Sequence, residues 1–375
     1  MLRRRALAAC TLTALTLVGC GPQYRSRTRR GEPAARAPGG REGKGELDLA
    51  LTGGGEGAPE GVVDTTRGVV STTGGVVGGA WSAALATTTA ASQLQRITTD
   101  PIDEERPALS PDGTTLLVGL RTWTKEGGLR NPGIVAVSPN GGPERQLMTQ
   151  PGTDADRAAW LPDGSSYVYA TSAPGSWSIV RAKSRSPGAP YALVASGDVA
   201  PGADYPSVAP DGLVALTVEK NKALFVATVR LDGGGFELVE QGNQPAFSPD
   251  GQRLAFVREV DGVSQLFVSR RNGEGVAQLT SGKASVGWPT WSPDGARLAF
   301  ATNKGTELQP SKDRRSQIWV VRLDGSGATQ LTSGTSDCGF PFWGRDGFLY
   351  FNSNATGNYD IWRLRPNTNL TGTSL

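Results

Sequence analysis

Histidine is absent from all 375 residues. That removes the commonest general base, the imidazole of a serine or cysteine triad, and the commonest metal ligand. Cysteine is nearly as scarce. Cys10 lies in an apolar N-terminal stretch and Cys20 at its end, so Cys338 has no partner for a disulfide in the body of the chain. A reactive thiol needs a basic surrounding that the sequence around Cys338 does not offer, which reads as a structural thiol. No Gly-x-Ser-x-Gly elbow, phosphate loop or Cys-x-x-Cys occurs. No catalytic residue, metal ligand or cofactor is therefore expected. Charge of one sign is lacking too. The formal net charge is +3, but residues 1–19 hold three arginines and no acid, so the remainder is close to neutral and carries no nucleic-acid footprint.

The first segment sets an address. Met1-Leu2-Arg3-Arg4-Arg5 precedes an apolar run from Ala6 to Val18. A charged start before a short apolar core is an export signal, and the run is too short for a stable membrane span. It ends in Leu17-Val18-Gly19-Cys20, which resembles the bacterial lipobox. The resemblance implies cleavage after residue 19 and acylation of the Cys20 thiol; an ordinary cleaved signal and an uncleaved anchor remain as alternatives. Several acyl chains hold firmly where one does not, at roughly 0.8 kcal/mol per buried methylene. Gly21-Pro22 follows, with no Asp directly after the cysteine, which by analogy points to the outer membrane with the folded part facing the periplasm.

Residues 20–91 read as a tether. Gln23 to Gly45 offers Tyr24 and little else to fill a core, Arg25, Arg27, Arg29 and Arg30 cluster, and glycines interrupt the rest. Such a composition does not offset the entropy of ordering. The arginines would touch anionic headgroups or simply solvate the chain. Val62-Val63 and Val69-Val70 to Trp81 are expected either to form a weak strand or to dock on the folded domain.

From Pro107 onward one phrase returns six times: Pro107–Gly113, Ala158–Gly164, Pro206–Gly212, Pro245–Gly251, Pro289–Gly295 and Pro341–Gly347. The first five end in Pro-Asp-Gly; Arg345 replaces the proline in the sixth. Proline presets φ for a tight turn, Asp bonds the turn backbone, and Gly takes the positive φ that closes it. A short apolar run follows each time, such as Leu254-Ala255-Phe256-Val257, then a third such as Ile318-Trp319-Val320-Val321. Self-similarity at about 40–50 residues with several strands per unit marks propeller blades. The recurring Trp160, Phe247, Trp291 and Trp343 are expected to pack between units. The sixth unit stops after its third strand, while Leu94-Gln95-Arg96-Ile97-Thr98 matches the fourth strands elsewhere. Residues 92–375 are thus expected to be an all-β, six-bladed β-propeller, closed by an N-terminal strand borrowed into the last blade.

The phrase Pro-x-aromatic-Ser-Pro-Asp-Gly with its following strand, best kept at Pro245–Val257 and Pro289–Ala301, resembles the TolB-type propeller family. The string Asn352-Ser353-Asn354 to Asp360-Ile361-Trp362 adds to that likeness. TolB carries an α/β domain ahead of its propeller; here the expected anchor and tether take that place, which puts a literal Tol-Pal role in doubt. The resemblance implies partner binding where the loops before each phrase meet. Those positions hold Asp103, Glu104, Glu105, Arg106, Asp154, Asp156, Arg157, Asp204, Tyr205, Asn243, Trp288 and Asp337. So many carboxylates suggest an acidic funnel for a cation or a basic or amide-rich segment. The expected function is a monomeric, non-enzymatic scaffold at the outer membrane, binding an envelope protein or a peptidoglycan-associated partner. The alternatives are a carbohydrate-active or hydrolytic enzyme working through carboxylates such as Asp154 and Asp156, and a purely structural assembly subunit.

Overall fold

The computed structural model describes residues 63–64, 69–70, 94–123, 128–143, 145–149, 154–172, 177–186, 190–195 and 202–366. The export segment, Cys20 and most of the expected tether lie outside these residues. The chain divides into two units. Within the smaller, residues 26–82, Val63–Asp64 pairs antiparallel with Val69–Val70. Among the described residues the larger unit holds every other strand.

Each repeat phrase opens on a first strand: Asp103–Leu109, Ala155–Trp160, Asp204–Val208, Asn243–Phe247, Val286–Trp291 and Cys338–Trp343. Each leads through its turn into an antiparallel second strand and then a third. Repeats 3 to 6 form separate four-stranded sheets, and repeats 1 and 2 share an eight-stranded one. The shared sheet is two meanders joined by a single parallel pair, Pro132 with Ala155.

The turn glycines do what their position demands. Gly113, Gly164, Gly212, Gly251, Gly295 and Gly347 all have φ between +67° and +85°. In repeat 4, Asp250 accepts from Ser248 Oγ at 2.5 Å and from Gln252 N at 3.0 Å, while Arg253 N donates to Ser248 Oγ at 2.9 Å. Repeat 5 repeats this set with Ser292 and Asp294. These bonds to its ionised form hold Asp294 below the usual carboxylate range, so its role is in the turn.

Second strands are apolar without alternation because both their faces are covered. Leu254, Ala255, Phe256 and Val257 are all fully buried, as are Leu298 to Ala301. The core is accordingly split. Among the described residues the hydrophobic side chains form six clusters, each shared by two successive repeats. The last of these joins Leu109, Leu116, Val118, Val135 and Val137 of repeat 1 to Tyr350 and Ile361 of repeat 6. The succession of packed sheets therefore returns on itself.

Gln95–Arg96 completes the sixth sheet beside Asp360–Leu364, with Arg96 opposite Trp362 and Gln95 opposite Arg363. Ile97 N donates to Ile361 O at 2.7 Å, Ile361 N donates to Thr98 Oγ1 at 2.9 Å, and Arg96 meets Asp360 at 2.8 Å. The recurring aromatics pack at the sheet junctions, as their repeat position predicts. Trp160 and Trp291 each donate an indole N–H to the preceding repeat, at Ala108 O and Ala246 O. Cys338 is a buried free thiol among these packed strands, pushed up by desolvation.

Candidate functional site

Among the described residues nine non-glycine residues carry a positive φ, and six of them are one repeat position: Arg106, Arg157, Tyr205, Gln244, Trp288 and Phe340, at +50° to +55°. Each immediately precedes a repeat phrase. At each, pairing with the second strand slips register, for example between Glu105 and Ala108 and between Gly287 and Thr290. This is a bulge with a left-handed residue, a device that re-aims one side chain out of the pleat. Holding a non-glycine residue there costs of order 1–3 kcal/mol. Six recurrences make it a constructed feature.

The six side chains gather at one mouth. They line a cavity of about 130 Å³ with Pro107, Ala158, Pro206, Pro245, Pro289 and Pro341. The last five also line a larger cavity of about 560 Å³ that runs on past Trp160, Phe247, Trp291 and Trp343 to the turn prolines and Arg345.

The mouth is electrostatically two-layered. Arg106 binds Glu105 and Asp156, both at 2.5 Å; Arg121 braces Glu105 at 3.1 Å; Arg157 binds Asp204 at 2.7 Å. Glu105 and Asp156 are buried, whereas the guanidinium groups reach the cavity. Burial opposes the charge on Arg106 and Arg157, but their acidic neighbours together, Asp156 and Glu105 for Arg106 and chiefly Asp204 for Arg157, outweigh it and hold both above the ordinary arginine value. Asp204 is raised by desolvation despite Arg157 beside it. Around the rest of the rim, Arg106 lies 4.1 Å from the Phe340 ring centre, Phe340 lies 4.1 Å from Trp288, and Arg157 lies 4.2 Å over Tyr205. Trp288 N donates to Gln244 Oε1 at 2.7 Å.

The sequence reading and this geometry agree only in part. Of the positions named beforehand, Arg106, Arg157, Tyr205 and Trp288 line the mouth, and Glu105, Asp156 and Asp204 pair with its arginines. Buried Asn243 backs Gln244. The other four face structural duties. Asp103 accepts from Tyr359 N at 3.0 Å. Glu104, fully buried and raised by desolvation, is paired with Arg145. Asp154 binds Arg130 at 2.8 Å. Asp337 accepts from Ser316 N at 2.6 Å and Tyr359 Oη at 3.1 Å, and burial lifts it to about 6. The expected acidic funnel is replaced by arginine and aromatic side chains, because Glu104, Glu105, Asp154, Asp156 and Asp204 are paired with guanidinium groups and Asp103 and Asp337 accept from backbone N–H groups. Gln244 and Phe340 were missed; their signal was one fixed offset, the residue just before each phrase. Among the described residues no group of three or more Cys, Asp or Glu is placed to hold a metal ion.

No protein-family model matches this chain, and no curated protein does. Solved structures do. A protein from Agrobacterium tumefaciens described as a TolB is similar at 18% identity with a TM-score of 0.55, over 73% of this chain and 98% of that one. The tricorn protease is similar at 14% identity and a TM-score of 0.54, over 72% of this chain but 26% of the protease. An oligogalacturonate lyase from Vibrio parahaemolyticus reaches 12% identity and 0.49, over 74% of this chain and 94% of the lyase. At these identities the likeness shows the fold alone: a β-propeller of the kind TolB carries.

Proposed function

We propose that this chain is a six-bladed propeller lipoprotein that acts as a non-enzymatic, protein-binding scaffold in the bacterial cell envelope. In this reading each repeat is a blade, residues 92–375 form the propeller, and Cys20 anchors it to the outer membrane through the 20–91 tether. The observation that carries it is the convergence of six left-handed side chains on one mouth. The bulge recurs in every repeat and brings those side chains together at the mouth. The chemistry of the rim supports binding over turnover. The chain has no imidazole, and the rim carboxylates that an acid–base mechanism would need are committed to arginines.

The test is chemical crosslinking of the full-length protein in its own membrane, followed by identification of what it holds. A protein partner captured by the wild type and lost with Trp288→Leu, while the melting curve stays cooperative, is the expected outcome. Capture that is indifferent to Trp288→Leu, or turnover of an added polysaccharide or peptide, would overturn the reading.

A further inference from the structure

The chemistry of the mouth narrows its occupant. Only two of its lining residues are charged, and both are arginines. The carboxylates of Glu105 and Asp156 that pair with Arg106 are buried in the wall, so an approaching group meets that guanidinium first; Asp204, the partner of Arg157, is part-exposed but does not line the mouth. The salt bridges fix the forks in place, so little rotamer freedom is left to lose when a further acceptor arrives. Donors are also in surplus. Among the described residues Arg106 Nε, Arg157 Nε and Trp288 Nε1 are buried N–H groups with no acceptor, while Asn243, adjacent to Gln244 in the chain, carries an acceptor Oδ1 without a donor. Next to Arg106 the rim is aromatic, with Phe340 against the Arg106 guanidinium and Trp288 in contact with Phe340.

Beyond the rim, the lining becomes proline. Pro206, Pro245, Pro289 and Pro341 line both cavities, and proline brings no N–H. The larger cavity adds the rings of Trp160, Phe247, Trp291 and Trp343 and the hydroxyls of Ser110, Ser207, Ser248 and Thr290, so an apolar side chain finds prolyl and aromatic surface there with polar groups between. The first cavity, about 130 Å³, admits one side chain, and the 560 Å³ beyond admits a few more.

We propose that the mouth takes an acidic peptide segment of a protein partner, with a carboxylate against Arg106 and Arg157 and an adjoining apolar side chain against Trp288 and Phe340. This rests on the protein-binding reading above and adds the sign and polarity of the ligand.

The experiment is selection of random heptapeptides displayed on phage against the immobilised full-length chain. Fluorescein-labelled synthetic copies are then titrated by fluorescence polarisation. The expected peptides pair Asp or Glu with a neighbouring apolar residue. They lose at least tenfold in affinity with Arg157→Gln, with Trp288→Leu, and on replacing the acid by its amide. Should Arg157→Gln fail to fold, Trp288→Leu and the loss of affinity between 50 and 500 mM NaCl carry the same reading. Basic or uncharged peptides that still depend on the ring would overturn the anionic chemistry and leave the docking surface standing. Peptides indifferent to the ring, or none at all, would overturn both. Ring-dependent binding of trigalacturonate without any peptide would replace the peptide by an acidic sugar and also overturn the proposal.

Discussion

Asp337 and Gly119 show how tightly single residues are held around the mouth. Asp337 has its carboxyl lifted to about 6 by burial, although Ser316 N and Tyr359 Oη donate to it. A carboxyl raised in the folded state stabilises the fold fully below its unfolded value near 4, and that contribution is lost as pH rises through 6. Asp337→Asn is therefore expected to flatten the dependence of melting temperature on pH between about 4 and 6. It should also raise the melting temperature at pH 7; an unchanged profile would contradict the assignment. Gly119 lies where an added Cβ would stand 2.7 Å from Asp156 Oδ1, the carboxylate that seats Arg106. Gly119→Ala should cost about 1–3 kcal/mol, read as a lower melting temperature, and should weaken any ligand held by Arg106. At this scale little was legible beforehand. Counting acids near the rim predicted a negative funnel. The order of layers, carboxylate behind and guanidinium in front, depends on contacts between residues about 50 apart, such as Arg106 with Asp156.

The repeat element was far more legible, because its chemistry is local. Pro-Asp-Gly encodes its own turn, and the serine two residues before Asp250 and Asp294 supplies a hydroxyl to each carboxylate. What the phrase does not encode is how closely one repeat's turn approaches the next. A Cβ on Gly251 would lie 2.9 Å from Pro210 Cδ, whereas one on Gly113 would meet nothing within 4 Å. Both glycines sit near φ +70°. Gly113→Ala should cost only the backbone term of about 1–2 kcal/mol, and Gly251→Ala measurably more. Equal losses in denaturant titration would mean that neighbouring turns do not touch as described. The left-handed bulge escaped notice for a related reason. Arg, Tyr, Gln, Trp and Phe share no property that marks the position, and only the offset from the phrase does.

For the whole molecule, the order of the sheets follows from the sequence period, and the missing fourth strand of the last repeat pointed to Gln95–Arg96 before any pairing was known. The recurring aromatics pointed to packing between repeats, and the structure places the core in clusters at those junctions. The mouth exists only if that circuit is closed, since Arg106 of repeat 1 must reach Phe340 of repeat 6. Closure is open to one direct measurement on the register pair Gln95 and Arg363. In the double variant Gln95→Cys/Arg363→Cys, mild oxidation should join the two cysteines within the monomer and raise the melting temperature, because a crosslink across so long a loop constrains the unfolded chain by roughly 2–4 kcal/mol. Thiols that stay free, or that bond only between molecules, would mean that the N-terminal strand does not seal the ring and that the mouth is not assembled as described.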